Sequence, residues 1–561
     1  MKTKLSDALR KISESKFFPQ IGLMLALLCS VGLFFYWSQY KTMGFCDEIY
    51  SYFTANSEDG VGVHFEPGTW YTKEDVISDF AAEKGFDPVT MLKNVYYDEH
   101  PPIYFTVFHV ISCLWGMHVS KYVGLSVNFL CLIFLVIGAY SLLYRILKKP
   151  MVAAFGTVAL VSAPGLITNL MLVRMYYMMC TWAIWYLYVM YRLMCEKDTL
   201  TKKQRIVFRV MICLLTVGGF LTHYYFAVYA VCFAFFYGID CLRKKEIRPL
   251  LWHGAVSIIA VGIATALWPR WPKHMFGGYA GKEVLSTALD FKGMFLEVWK
   301  AITTWIPEAV FSRYVAPAGC VILLGCLYLT WKKKNPCMPF ILVNLCSSFL
   351  YCIICQHVTP VYYVSQRYFY IATVTAYISI VILLVEGAKI LAEGLFSSGL
   401  FKDGTSSSLR SRVCVLLFLV VIIFNTNMTK DPSVGGYMDI TRKQLDYEYF
   451  LQHDFAKTPV VVYGYENWTM MQAYFTFAGM DRWILYNDQV DFPKGQAPVD
   501  GPFLLFVENR IYGKTEDLSL DPRYTLDWVL EHVSNLNGEK SYKVTYLFEY
   551  GMPVYMVEPV E

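Results

Sequence analysis

Charge is scarce in this chain. Of 561 residues, 17% are Asp, Glu, Lys or Arg, and 56% are hydrophobic. That balance excludes a soluble enzyme built on one large core, because several apolar runs reach or approach the ~20 residues that cross a bilayer. A basic stripe and nucleic-acid-binding motifs are both missing, which sets nucleic acid aside as a partner. Disulfide chemistry is missing too: there are sixteen cysteines, but nearly all lie in apolar runs and none follows Cys414. A stapled outer domain would need cysteines there. "CIIC" (Cys352, Cys355) lies inside an apolar run without a second such pair, so its cysteines read as small apolar core residues. No repeat of 20–50 residues and no low-complexity tract occurs.

What the chain has is a polytopic membrane pattern. The front "MKTKLSDALRKISESK" carries five bases and two acids. It resembles a signal peptide, but the run after it is long and ends in "FFYWSQY" without a small-residue cleavage site. It reads as an uncleaved first span with aromatic anchors. Basic loops stay in the cytoplasm, and the connections "YRILKKP", "CEKDTLTKKQR", "CLRKKEIRP", "WKKKNP" and "LFKDGTSSSLRSR" are basic. From Gln39 to His100 there are instead twelve acids against four bases, which places that stretch outside. Eleven spans satisfy these constraints: 21–37, 123–144, 151–170, 175–192, 206–221, 224–240, 250–268, 315–331, 337–354, 367–390 and 411–426. The N-terminus is then cytoplasmic and the C-terminus extracytoplasmic, in a multi-pass plasma-membrane protein. "PPIYFTVFHVISCLWG" (Pro101 to Gly116) is short and opens with two prolines, so it reads as an interfacial or re-entrant helix.

The expected fold class is therefore mainly α, with a membrane module over residues 1–426 whose outer loops are 39–122 and 269–314. In the second loop, apolar residues from Val284 to Trp305 recur at helical spacing, as in a helix lying on the membrane. A small extracytoplasmic α/β domain is expected over 427–561. There "PVVVYG", "RWILYN", "PFLLFVEN", "YKVTYLFEY" and "VYMVE" read as strands, and "NWTMMQAYFTFAG" and "LDWVLEHVSNL" as helices.

The ionisable residues that stand out all sit near the outer face. Asp47 and Glu48 close the first span. "YYDEHPPIY" carries Asp98, Glu99, His100 and Tyr104. "LVRMYY" carries Arg174 and Tyr176, "LTHYYF" carries His223, and "VSQRYFY" carries Arg367. Singly, each has a plain structural reading: an interface arginine whose stem snorkels, a packed histidine, a solvated acidic pair. Their joint placement on one membrane face is the functional signal, since ionisable groups there are costly to keep.

The Asp-Glu pair after the first span, then "HPPIYF", "RMY" and a late "RYF", resembles the GT-C membrane glycosyltransferases. The branch it is similar to holds the protein O-mannosyltransferases, the lipid A aminoarabinose transferases and bacterial relatives. The likeness covers roughly the first 390 residues as scattered motifs; the tail from Asn427 carries none. It implies transfer of a sugar from a polyprenyl-phosphate donor to an acceptor hydroxyl outside the membrane. A hydroxyl is a weak nucleophile and needs a positioned base; the resemblance makes that base Asp47, with Glu48 orienting it. The transition state should have oxocarbenium character, and the leaving phosphate needs cationic donors: Arg174, Arg367 and His100, the last standing where related transferases carry Lys, with Tyr176 beside them. Asp98, Glu99, Tyr104 and His223 are candidate donor or acceptor contacts. Neither a short Asp-x-Asp nor a GxxxxGK[ST] loop occurs, and a lipid-phosphate donor needs neither. No cofactor is expected, although Asp47, Glu48, Asp98 and Glu99 are oxygen ligands suited to a divalent ion.

Three other readings stand beside this one. A transporter or lipid flippase would place ionisable residues at the midplane within repeated halves. A polysaccharide polymerase or ligase using lipid-linked substrates has the same composition. A membrane scaffold would not need the motif set. The sequence leaves the sugar and the acceptor (protein, lipid or wall glycan) open.

Overall fold

The computed structural model describes residues 17–41, 46–61, 65–277, 316–358, 366–397, 452–463, 476–486, 501–507, 542–550 and 552–560, with isolated positions between them. The chain divides into two compact units. The first takes residues 1–39, 99–104 and 128–437; the second takes 40–98, 105–127 and 438–561.

The first unit is a helical bundle. Helices run over Phe18–Tyr40, Pro150–Val161, Pro164–Met171, Tyr176–Cys195, Lys202–Phe220, Tyr225–Arg243, Ile247–Leu267, Ala316–Lys332, Met338–Val358 and Tyr370–Ser397, and Lys121–Leu147 lies mostly in it. Among the described residues, six helices are long and apolar enough to cross a membrane. The others fall short for visible reasons. Tyr176–Cys195 is diluted by tyrosines and tryptophans. Lys202–Phe220 opens with Lys202, Lys203, Arg205 and Arg209. The expected span 151–170 is two helices bent by 63°. Pro164 stands just after the break: proline lacks an N–H and disfavours helical backbone at the residue before it. The eleventh expected span (411–426) and the amphipathic segment 284–305 lie almost wholly outside the described residues.

Burial orders the bundle. The apolar window of the helix entered at Arg367 is 89% buried, against 22% for Phe18–Tyr40 and for Ile247–Leu267. The former is central; the latter two are peripheral, Phe18–Tyr40 turning Met24 and Leu28 outward and Ile247–Leu267 turning Ile258, Ile259 and Val261 outward. Polar pins join the central helices: Asn344 donates to the Thr375 carbonyl at 2.6 Å, and the Tyr229 hydroxyl donates to Asn344 at 3.1 Å. Unsatisfied polar groups are expensive in an apolar bundle, so these bonds also fix helix register.

The second unit carries a six-stranded mixed sheet in the order β1-β3-β2-β4-β6-β5. Its strands are β1 (Trp70–Tyr71), β2 (Val460–Tyr463), β3 (Trp483–Tyr486), β4 (Phe503–Val507), β5 (Tyr542–Tyr550) and β6 (Met552–Pro559). All five strand segments read from the tail fall on β2 to β6. Strands β2, β3 and β4 are parallel and buried along their whole length, which explains their uninterrupted apolar sequences. The edge strand β1 comes from the first loop and pairs antiparallel with β3. Residues 40–98 thus group with the tail rather than with the helical bundle. The helix expected in "LDWVLEHVSNL" lies outside the described residues.

Ile103–Trp115 is a helix of 13 residues. At ~1.5 Å per residue it is about 20 Å long, less than the ~30 Å hydrocarbon core.

Candidate active site

In the helical unit, four connecting segments bring their polar side chains together. His100 lies in the bend before Ile103. Arg174 lies between the helices ending at Met171 and starting at Tyr176, and His223 in the turn between Phe220 and Tyr225. Arg367 lies in the 3-10 turn Gln366–Phe369 that leads into Tyr370. Each segment is held by hydrogen bonds to its backbone. The Ile103 N–H donates to the Leu221 carbonyl at 3.0 Å, tying the His100 bend to the His223 turn. Asn128 donates to the carbonyls of Leu170 and Leu172 at 2.9 and 2.7 Å, closing the helix end before Arg174. The Tyr351 hydroxyl donates to the Tyr368 carbonyl at 2.8 Å. At Gly219 the backbone approaches Phe226 so closely that a Cβ would stand 2.5 Å from its ring; only glycine fits.

The geometry that results is compact. An Arg174 terminal nitrogen lies 3.5 Å from His100 Nε2. Arginine only donates, so Nε2 accepts at this contact. The His223 ring centre lies 6.1 Å from that of His100 and 5.1 Å from that of Tyr176. The Arg367 guanidinium sits 5.0 Å over the Tyr368 ring, and Tyr368 lies 5.3 Å from Tyr225 and 6.0 Å from Tyr176. Arg174, Tyr176, His223 and Arg367 are all buried. Burial pushes the His223 pKa well below its ordinary value, and His100, Arg174 and Arg367 push it the same way. His223 is therefore a neutral imidazole. Its Nδ1 accepts from the Tyr225 N–H at 3.1 Å, which leaves Nε2 to carry the hydrogen. Such a cluster suits an anion: two guanidinium groups and an imidazole N–H, enclosed by tyrosines.

Asp47 and Glu48 belong to the second unit, in the first turn of the helix Cys46–Asn56. Asp47 is half-buried. Glu48 is buried and accepts from the Lys41 ammonium on both oxygens, at 2.6 Å each. Lys121, also buried, donates to the Lys41 carbonyl at 2.6 Å. The Tyr52 hydroxyl fastens the same helix to the next segment, donating to the Ser120 carbonyl at 2.9 Å and accepting from the Gly124 N–H at 3.1 Å. Asp98 ends the helix Pro88–Tyr97, Glu99 follows it half-buried, and Tyr104 is fully buried in the first turn of Ile103–Trp115. Among the described residues, no group of three or more His, Cys, Asp or Glu is arranged to hold a metal ion.

Sequence reasoning missed Lys41 and the tyrosine collar of Tyr225, Tyr368 and Tyr370. A signal existed for the first: Lys41 is a lone base between the first span and the acidic pair. The collar had none, because tyrosine is common throughout this chain.

No family model and no curated protein matches the sequence. Solved structures do. ArnT from Cupriavidus metallidurans, a lipid A aminoarabinose transferase, bound to undecaprenyl phosphate, is 12% identical, with a TM-score of 0.52 over 95% of this chain and 97% of that one. The apo state of the same protein gives a TM-score of 0.47 at 13% identity and the same coverage. The Archaeoglobus fulgidus oligosaccharyltransferase tethered to an acceptor peptide gives 0.46 at 13% identity, over 88% of this chain and 69% of that one. The chain shares the fold of ArnT.

Proposed function

We propose that this protein is an integral-membrane glycosyltransferase. It moves a sugar from a polyprenyl-phosphate donor to an acceptor hydroxyl on the outer face of the membrane. The observation that carries this reading is the convergence of Arg174, Arg367, His100 and His223 in one buried cluster of the helical unit. The ArnT structure with undecaprenyl phosphate supports it by likeness of fold.

In this reading Arg174 and Arg367 bind the donor phosphate and take up the charge it gains as the bond to the anomeric carbon breaks. His100 steadies Arg174, and the His223 Nε2–H donates to a phosphate or sugar oxygen. Asp47 removes the proton from the acceptor hydroxyl as that oxygen bonds to the anomeric carbon. Glu48, locked by Lys41, holds the helix that presents Asp47. Tyr176, with Tyr225 and Tyr368 of the collar, gives apolar faces on which a sugar ring can rest.

The test is Asp47→Asn, read as sugar release from a radiolabelled polyprenyl-phosphate-sugar pool in membranes where the wild type turns over. At equal folded abundance, turnover should drop by ~10²–10⁴, the range of a general base, while donor binding persists. Wild-type turnover in the variant removes Asp47 from the chemistry.

A further inference from the structure

The helical unit has a second cationic feature at the other end of the same helices. A cavity of about 120 Å³ opens among Tyr176–Cys195, Lys202–Phe220, Tyr225–Arg243 and Ile247–Leu267. Arg205, Arg209, Lys197, Trp252 and Tyr237 line it, with Asp198 the one carboxylate in its wall. Arg209 precedes Phe220, the helix end beside His223, by eleven residues. At ~1.5 Å per residue the two sites are about 17 Å apart along the axis.

Five cations nearby are matched. Arg145 and Arg192 each reach Glu196 at 2.7 Å. Lys197 pairs with Glu246. Arg243 and Lys244 pair with Asp240 at 2.9 and 2.6 Å. Arg205 and Arg209 have no ion-pair partner among the described residues. They stand one turn apart on a helix, where like charges repel. Arg209 is half-buried and held 4.5 Å over the Trp252 ring, a placement that orders the guanidinium without neutralising it. Flanking the cavity, Val210, Leu214 and Leu251 are exposed, and so is Trp252 itself. On a bundle of apolar helices that surface faces acyl chains, and tryptophan marks the headgroup level.

From this arrangement we infer that the Arg205–Arg209–Trp252 cavity binds the phosphate of an anionic phospholipid, whose acyl chains lie along Val210, Leu214 and Leu251. A basic pocket between membrane helices is the setting in which such headgroups are held. A free phosphate offers the same charge but leaves the adjoining apolar strip uncovered. This site is independent of the donor site and stands whether or not the glycosyltransferase reading does.

The test is native mass spectrometry of the full chain in detergent. Phosphatidylglycerol, or phosphatidylcholine with the same acyl chains, is added, with inorganic phosphate as a competitor. Phosphatidylglycerol should bind in preference. The double variant R205Q/R209Q should lose about 25-fold in affinity, a factor of roughly five for each cation removed. K202Q/K203Q, in the exposed first turn of the same helix and outside the cavity, should be unchanged. Should R205Q/R209Q not accumulate, Trp252→Leu frees Arg209 from its ring and should weaken binding several-fold. Equal binding of the two lipids, equal losses in the two double variants, or an unaffected Trp252→Leu overturns the proposal. Displacement by phosphate without any lipid preference assigns the cavity to free phosphate instead.

Discussion

In the sheet-bearing unit, Lys41 places its ammonium 2.6 Å from both oxygens of Glu48, and both side chains are 1% exposed. In the helical unit, His223 is also buried, but the groups acting on it are His100, Arg174 and Arg367, all basic. The first cluster balances itself. A buried ion pair with good geometry recovers its desolvation cost only because each partner is present, and nothing further need bind there. The second keeps its imidazole neutral and gathers positive charge around it, which an incoming phosphate would relieve. In the proposed reading, the first pair holds the fold and the second cluster receives the donor phosphate.

The largest effect should come from breaking the balanced cluster. Glu48→Gln leaves the Lys41 ammonium buried without its carboxylate, which costs about 3–5 kcal/mol for a broken buried pair. Thermal unfolding in detergent should show a much lower midpoint. Replacing both partners, Lys41→Met with Glu48→Leu, should restore most of it. A wild-type midpoint for Glu48→Gln alone would mean that the pair holds nothing.

Next in size is the basic cluster around His223, which in the proposed reading responds in turnover rather than in stability. Arg174→Ala removes a cationic donor to the leaving phosphate, and losses of this kind run at ~10²–10³ in rate. Its unfolding midpoint should stay close to the wild type's. Arg367→Ala should behave alike. If either variant loses fold and activity in proportion, the guanidinium groups belong with Lys41 and Glu48 as structural charges.

Sequence reasoning reached the pieces of these clusters unevenly. The strands of the tail were legible because β2, β3 and β4 are buried on both faces and so spell uninterrupted apolar runs. Arg174 and Arg367 stood out not singly, where a snorkelling interface arginine explains each, but because they share one membrane face with the other ionisable residues. The break at Ser162-Ala163-Pro164 was readable as a proline in a span, yet span-counting by hydropathy passes over it. What stayed hidden is pairing at a distance. Nothing in the spacing of Lys41 and Glu48 distinguishes a buried ion pair from two solvated charges in an acidic loop. Nor does sequence say that Trp70 and Tyr71, far from the tail, complete its sheet beside β3. The same holds for Arg209, whose partner ring, Trp252, comes from another helix.

The smallest expected effect concerns His223 and tests whether the basic cluster really excludes a proton. The ordinary histidine pKa is 6.5, and in the folded protein that of His223 lies well below it. Between those two values the unfolded chain binds a proton that the folded one does not, so stability rises with pH through that window and falls as pH drops below 6.5. Each such histidine contributes a slope of at most about 1.4 kcal/mol per pH unit. His109 has a lowered pKa as well and adds its own share, so the test is a difference. Unfolding midpoints of the wild type and His223→Gln, taken from pH 7.5 to 5, should diverge, with the variant the flatter by up to one proton. Parallel curves would mean that His223 takes up its proton in the folded protein as readily as in the unfolded chain, and that the cluster does not exclude it.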